Sequence, residues 1–365
     1  MAPSLTTLPS NHPYADGRVT GSALISAYEG RPGPHRPVWF MRQAGRSLPE
    51  YLEARKGTTM LESCLTPALA SEITLQPVRR YGVDAAIFFS DIVVPMKVAG
   101  VGVDIEPGVG PVFAQPVRTM ADIDALPELG ELGDGGAFDA ALTPVRDAVA
   151  MTVAELHETP LIGFAGAPFT LAAYMVEGRP SRDHLGAREL MFSAPDVWDA
   201  LMVWTSQAAG MFLRAQVLAG ASAVQLFDSW AGSLSEATYR DKCAEASAAV
   251  FAHVNDLPVP RVHFAAHGGH LLTAMAGVGA TVMGVDYRMG LDEANRTLGS
   301  AVALQGNIDP ALLGAPADVL ERHVRDVLDR GSEAPGHVVN LGHGVPPGTD
   351  PASLQRIVDY VHTHG

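Results

Sequence analysis

The chain has 365 residues, 47% of them apolar, and a formal net charge of −15 at pH 7. This length suits two average domains or one large α/β barrel, and the apolar share is ample for a real core. The acidic balance excludes a general nucleic-acid binder and requires that any anionic ligand be held by local positive charge against an unfavourable overall field.

Residues 1–20 are polar and Pro-rich, without the basic start and apolar core of a signal peptide. Residues 1–15 are expected to be a disordered tail, and 16–365 a single catalytic domain. Apolar stretches break well before the ~18 residues of a membrane span. The two cysteines, Cys64 and Cys243, make neither a metal spacing nor a disulfide framework. Both features fit a reduced cytoplasm.

The first apolar run, Pro37–Met41, reads as a buried strand. It ends in a turn carrying Arg42 and Arg46, with Gly45 between them. Two guanidiniums four residues apart read as a clamp for carboxylates or phosphates, since each can hold an oxyanion bidentately. Spacing alone leaves a solvated surface loop as the alternative.

Seven more runs with β-strand composition follow: Asp84–Phe89, Leu161–Ala165, Ala223–Phe227, Arg261–Ala265, Thr281–Asp286, Ala301–Gly306 and Val338–Leu341. Each is apolar at nearly every position, as expected of parallel strands covered on both faces. Helical stretches lie between most of them. Thr66-Pro67 starts one that runs to Tyr81 with a kink expected at Pro77. Ser233 and Glu236 read as a capping box before a helix through Val250. Others cover Ala200–Leu218, Leu271–Ala276, Asp292–Leu298, Asp318–Leu328 and Ala352–His362. Residues 98–118 read as a hairpin insertion, and residues 127–137 as an acidic, Gly-rich exposed loop.

Eight strand–helix units make a TIM barrel the leading fold. A doubly wound open sheet is the runner-up, weakened because no Gly-x-Gly-x-x-Gly follows the first strand. In a barrel the chemistry lies at the carboxyl ends of the strands. Those positions hold Arg42 and Arg46, Ser90 and Asp91, Thr170 with Tyr174 one turn on, Asp228-Ser229-Trp230, His267, Asp286, Asn307 with Asp309, and His343. Asp228 and Asp286 could equally cap helices or pair with a core arginine, and Tyr174 could be ordinary packing. His267 and His270 read as a loop entering a helix rather than a metal site, since no carboxylate has a convincing partner spacing. Neither a Gly-x-Ser-x-Gly elbow nor a P-loop occurs. Arginines with one aspartate and one histidine suit a multiply anionic substrate whose reaction passes through a cation.

The residues resemble the uroporphyrinogen decarboxylase family. The resemblance is carried by Arg42-Gln43-Ala44-Gly45-Arg46 with Leu48-Pro49-Glu50-Tyr51, and by Gly163-Phe164-Ala165-Gly166-Ala167-Pro168-Phe169-Thr170 with Tyr174-Met175-Val176-Glu177-Gly178. It continues in Gln225-Leu226-Phe227-Asp228-Ser229-Trp230-Ala231-Gly232, Leu304-Gln305-Gly306-Asn307-Ile308-Asp309-Pro310 and Asn340-Leu341-Gly342-His343-Gly344. The matches run in order from about residue 20 to the end.

The resemblance implies a TIM-barrel homodimer that works without metal or organic cofactor. Its substrate would be uroporphyrinogen III, whose four acetates lose carbon dioxide to give coproporphyrinogen III in haem synthesis. It also implies that Arg42, Gln43, Ala44, Gly45, Arg46 and Arg55 line the substrate, and that Asp91 accepts pyrrole N–H groups. Tyr174, Ser229 and His343 would complete the pocket, with Asp91, Arg42, Tyr174 and His343 as the catalytic set. Two positions depart from the family pattern: Ser47, usually Tyr, and Arg179, usually Gly.

Overall fold

The structure, a computed structural model, describes residues 7–31, 33–45 and 47–365. Its central sheet has seven parallel strands in the order β1-β4-β5-β6-β7-β8-β9: β1 Ala86–Ile87, β4 Leu161–Gly166, β5 Ala223–Phe227, β6 Arg261–Phe264, β7 Val282–Gly284, β8 Ala303–Gln305 and β9 His337–Val338. Two further strands, β2 Val103–Glu106 and β3 Gly110–Phe113, pair antiparallel as the expected hairpin. Nearly every position of the central strands is buried, which explains why they read as unbroken apolar runs rather than alternating ones.

The first expected strand is reduced to one bridge, Val38 against Val339. It stands between the two edges of the sheet. The Val339 N–H donates to Pro37 O on one side, and the Asp84 N–H donates to Val38 O on the other. The sheet is curled, because side chains meet across its interior. Gln305 of β8 donates from Nε2 to Gln225 Oε1 of β5 at 3.0 Å, although β6 and β7 separate these strands. Gln225 Nε2 in turn reaches Met41 Sδ at 3.6 Å. These features place the chain in the TIM-barrel class.

Helices cover the outside of the sheet. Pro67–Tyr81 forms with Pro77 inside it, and Pro195–Ala219, Ala317–Arg330 and Pro351–His364 each enclose an expected segment. The expected capping box at Ser233 is displaced. Ser233 closes a short 3-10 turn, and Ser235 is the cap, accepting from the Thr238 N–H. That helix stops at Lys242, and a second, Ala244–Ala252, follows a break at Cys243. Ser and Glu three apart satisfy the box pattern, but the two intervening residues let the chain finish its 3-10 turn first.

One contiguous core extends from Leu8 to Val361. Residues 1–6 of the expected tail lie outside the described residues. The next part of that stretch is packed: Leu8 and His12 are buried, and His12 Nε2 lies 2.9 Å from Val217 O.

Candidate active site

Because the central strands are parallel, their carboxyl ends share one end of the sheet, and Asp91, Tyr174, Ser229 and His343 follow those ends. Asp91 follows β1 after two buried phenylalanines, Phe88 and Phe89. Its backbone is aimed by the strand, and its Oδ1 accepts the Val93 N–H at 3.1 Å. Asp91 keeps some accessible surface at the mouth, yet its carboxylate is deeply recessed. Burial pushes its pKa up from the ordinary aspartate value, opposed by the Val93 N–H, the Arg42 guanidinium and the Ile92 N–H. The glycine at the end of β4 makes room for this recess. A Cβ on Gly166 would stand 2.9 Å from Ile92 Cβ and 2.8 Å from Leu171 Cδ2.

Arg42 is exposed and adopts φ 61°, a left-handed conformation uncommon outside glycine. Its neighbours hold it there. Met41 N–H donates to Asn340 Oδ1 at 3.0 Å, and Val345 N–H donates to Met41 O at 2.9 Å. The Asn-Leu-Gly-His-Gly loop after β9 therefore wraps the residue before Arg42. Gly344 accommodates the arginine stem, since a Cβ there would meet Arg42 Cδ at 2.6 Å.

His343, in that same loop, is exposed, and burial of its ring nitrogens together with the Arg42 charge lowers its pKa from the ordinary histidine value. A ring that substrate carboxylates would make easier to protonate is thus biased toward neutrality in the free protein. Tyr174 senses the same charges. Its pKa is pushed up to about 12 by burial and by Asp91, with Arg42 opposing.

Tyr174 lies on the helix Pro168–Glu177. That helix is docked at both ends. Thr170 Oγ1 donates to the buried Asp228 Oδ1 at 2.8 Å and accepts the Trp230 N–H at 3.3 Å. Thr170 and Tyr174 are four residues apart, on one helix face, so Trp230 arrives against the Tyr174 ring, with centroids 3.9 Å apart. At the other end the hairpin region holds the helix, with Phe113 N–H donating to Gly178 O at 2.8 Å and Val117 N–H to Met175 O at 3.0 Å. Trp230 is also stacked by His184, with centroids 4.1 Å apart. This Tyr174–Trp230–His184 stack was not visible in the sequence, because ring stacking between three separate segments leaves no spacing signal.

Other expected residues do different work. Gln43 is fully buried. Its Oε1 accepts the Phe40 N–H and its Nε2 donates to Ala85 O, both at 3.0 Å. The side chain therefore pins the arginine turn to the start of β1. Ala44 packs against the core and Gly45 O accepts the Leu48 N–H. Arg55 spends its donors locally, on Tyr51 OH at 2.7 Å, Ser63 Oγ at 3.1 Å and Thr58 O. Tyr51 reaches Phe89 edge-on at 5.9 Å, which ties this network to the strand that carries Asp91. Ser229 is half-buried beside Asp228. Arg46 lies outside the described residues. Asp286, buried, accepts from the His267 N–H and from Arg288 N and Nη1, and so anchors two loops. His267 and His270 do not converge; His270 Nε2 meets Leu234 O at 2.7 Å. Arg179 is exposed.

The sequence profile of the family described as Uroporphyrinogen decarboxylase (URO-D) matches residues 20–364. A relative from Arthrobacter sp. (strain FB24) named "Uroporphyrinogen decarboxylase" is 64% identical over 95% of this chain and 99% of its own length. One of the same name from Leifsonia xyli subsp. xyli (strain CTCB07) is 59% identical over 98% of each chain. Among solved structures, a methyltransferase from Methanosarcina mazei superposes with a TM-score of 0.74 over 94% of this chain and 98% of its own, at 18% identity. That likeness concerns the fold alone.

Proposed function

We propose that this chain, which belongs to the uroporphyrinogen decarboxylase family, removes carbon dioxide from the four acetate side chains of uroporphyrinogen III to give coproporphyrinogen III in haem biosynthesis. The observation that carries the reading to the residues is that Asp91, Tyr174 and His343, which come from three separate segments, all feel the charge of Arg42.

The chemistry follows from the substrate. An acetate on an electron-rich pyrrole loses carbon dioxide only when the electron pair of the broken C–C bond has somewhere to go. Protonating a ring carbon creates a cation that accepts the pair. The exocyclic methylene left behind then takes a proton and becomes a methyl group, and the ring carbon releases the proton it took, so each carbon dioxide released consumes one proton. The pyrrole is its own electron sink, so the reading needs neither metal nor organic cofactor. Asp91, recessed and negative, accepts pyrrole N–H groups and faces the cation, a preorganised electrostatic role of the kind that dominates catalysis. Arg42 pairs with a carboxylate, helped by Arg46. Tyr174, held by Trp230, and Ser229 and His343 line the sides of the pocket. Gln43 supports the first-strand turn, and Arg55 holds Tyr51 against Phe89 beside Asp91 rather than touching substrate. The reading includes a homodimer working in the cytoplasm, and size-exclusion chromatography with light scattering tests the assembly.

Turnover of uroporphyrinogen III followed by carbon dioxide release and product chromatography tests the activity. Stoichiometric binding of the tetrapyrrole without carbon dioxide release would make the chain a carrier instead. Methyl transfer from a methylated thiol or corrinoid in place of carbon dioxide release would make it a methyltransferase instead; the buried Cys64 and Cys243 speak against that outcome.

A further inference from the structure

At the opposite end of the first strands from Asp91, three side chains from distant segments meet. Asp84 precedes β1, His35 lies in the loop before Val38, and His362 is in the last turn of the helix Pro351–His364. His35 Nε2 lies 2.6 Å from Asp84 Oδ1, and His362 Nε2 lies 2.8 Å from Asp84 Oδ2. The two imidazole rings stand edge to face, with centroids 4.8 Å apart. All three ligand atoms fall within 4.8 Å of one another, the single group of three or more His, Cys, Asp or Glu side chains so disposed among the described residues. The carboxylate is fixed before any ligand arrives, because Val38 N–H donates to Asp84 Oδ2 at 2.8 Å and the Asp84 N–H donates back to Val38 O at 2.9 Å.

We propose that His35, Asp84 and His362 form a binding site for one divalent transition-metal ion that fastens the carboxyl-terminal helix to the base of the barrel. Two imidazole nitrogens and one carboxylate are a donor set for Zn²⁺, Co²⁺ or Ni²⁺ rather than for Mg²⁺ or Ca²⁺, which prefer all-oxygen shells. Both Nε2 atoms face the carboxylate, so the ion takes the place of the protons shared there, and these pass to solvent. Bonds of about 2.0–2.2 Å require the imidazoles to open slightly from their present contact with the carboxylate. They have room, since the His35 and His362 side chains are 34% and 33% exposed. That exposure also gives the ion its entry path and leaves a coordination position for water. The site is remote from the proposed reaction, and its occupancy acts on how the last helix is held.

The test uses the full-length protein without an affinity tag, stripped with a chelator and dialysed. Calorimetric titration with ZnCl₂ should give one ion per chain with a Kd of about 1 μM or tighter. His35→Ala and His362→Ala should each weaken binding by at least about tenfold, whereas His364→Ala, two residues beyond His362 with its ring stacked on Tyr360 and its Nδ1 3.0 Å from Tyr360 O, should leave it unchanged. Zn²⁺ should raise the melting temperature of the wild type and not that of His362→Ala. Absence of saturable binding, or binding that survives in both His35→Ala and His362→Ala, overturns the site. So does an equal loss in His364→Ala, which would mark simple chelation by the chain end.

Discussion

Asn340 receives the Met41 N–H at 3.0 Å through its Oδ1, and the same oxygen accepts the Leu341 N–H at 2.8 Å. One side chain thereby joins the residue before Arg42 to the loop that carries His343. Gly344, two residues on from Gly342 in that loop, lies against the aliphatic stem of Arg42. Gly344→Ala should therefore displace the guanidinium without disturbing the core. A misplacement of about 1 Å costs on the order of 100-fold in rate. The expected result is a loss of that size in kcat/KM with a melting temperature close to wild type. Unchanged kinetics would mean that Arg42 can move aside without consequence.

Arg42→Ala removes the positive charge that acts on Asp91 and leaves substrate carboxylate unpaired. Breaking a partly buried pair costs roughly 3–5 kcal/mol, so the specificity constant should fall by about two to three orders of magnitude. Arg42→Lys should recover only part of this, having lost the bidentate fork. Steady-state kinetics of both variants decide the point; a near-wild-type Arg42→Ala enzyme would return the turn to a solvated loop.

Asp91→Asn keeps shape and one acceptor but removes the charge that faces the cation. Turnover should drop by about 100–1000-fold while circular dichroism stays native and substrate binding changes less. The wild-type pH profile gives a second reading. Asp91 acts ionised, and burial raises its pKa. The acid limb of kcat/KM, which reports the free enzyme, should therefore fall away at a higher pH than an ordinary aspartate near about 3.9 would give, and that limb should be missing in Asp91→Asn. Turnover within tenfold of wild type would take Asp91 out of the mechanism.

Gln43→Ala separates support from contact. Its amide serves two buried backbone groups, and orphaning them costs about 1–3 kcal/mol. Denaturant melts should register that loss of stability. A variant as stable as wild type but with a raised KM would place the side chain on the substrate after all.

Asp228 makes stability depend on pH. It is fully buried, with Oδ1 accepting from Thr170 and Oδ2 unpartnered, and burial raises its pKa to about 7. A carboxyl with a raised folded pKa binds more protons in the folded state. Its contribution is complete below the unfolded value near about 3.9 and is lost as pH rises through about 7. Unfolding free energies between pH 5 and 8 should therefore decline in the wild type and decline less in Asp228→Asn. Equal slopes would show that the carboxyl ionises in the fold at little cost.

The sequence by itself determined the strands from Leu161 to Gln305, because a parallel strand covered on both faces must be apolar at every position and such runs are short; the last expected strand, Val338–Leu341, forms at His337–Val338, with Val339 and Leu341 making single bridges. It also placed Asp91, Tyr174, Ser229 and His343 at the strand ends, since the mouth of a barrel follows from strand order alone. The tertiary structure decided what each polar group touches. Gln43 belongs to a motif that reads as substrate-facing, yet its amide is consumed by Phe40 and Ala85; partners 3 and 42 residues away leave no periodic trace. Arg55 likewise finds hydroxyls on its own and the next helix. The first strand read as five residues and forms a single bridge, because the Val38 pairing is shared between two sheet edges. The Asp84 cluster unites positions 49 and 278 residues apart, and the Tyr174–Trp230–His184 stack joins three elements. Patterning encodes burial along one segment. Which side chains complete one another across segments is set only when the barrel closes them together.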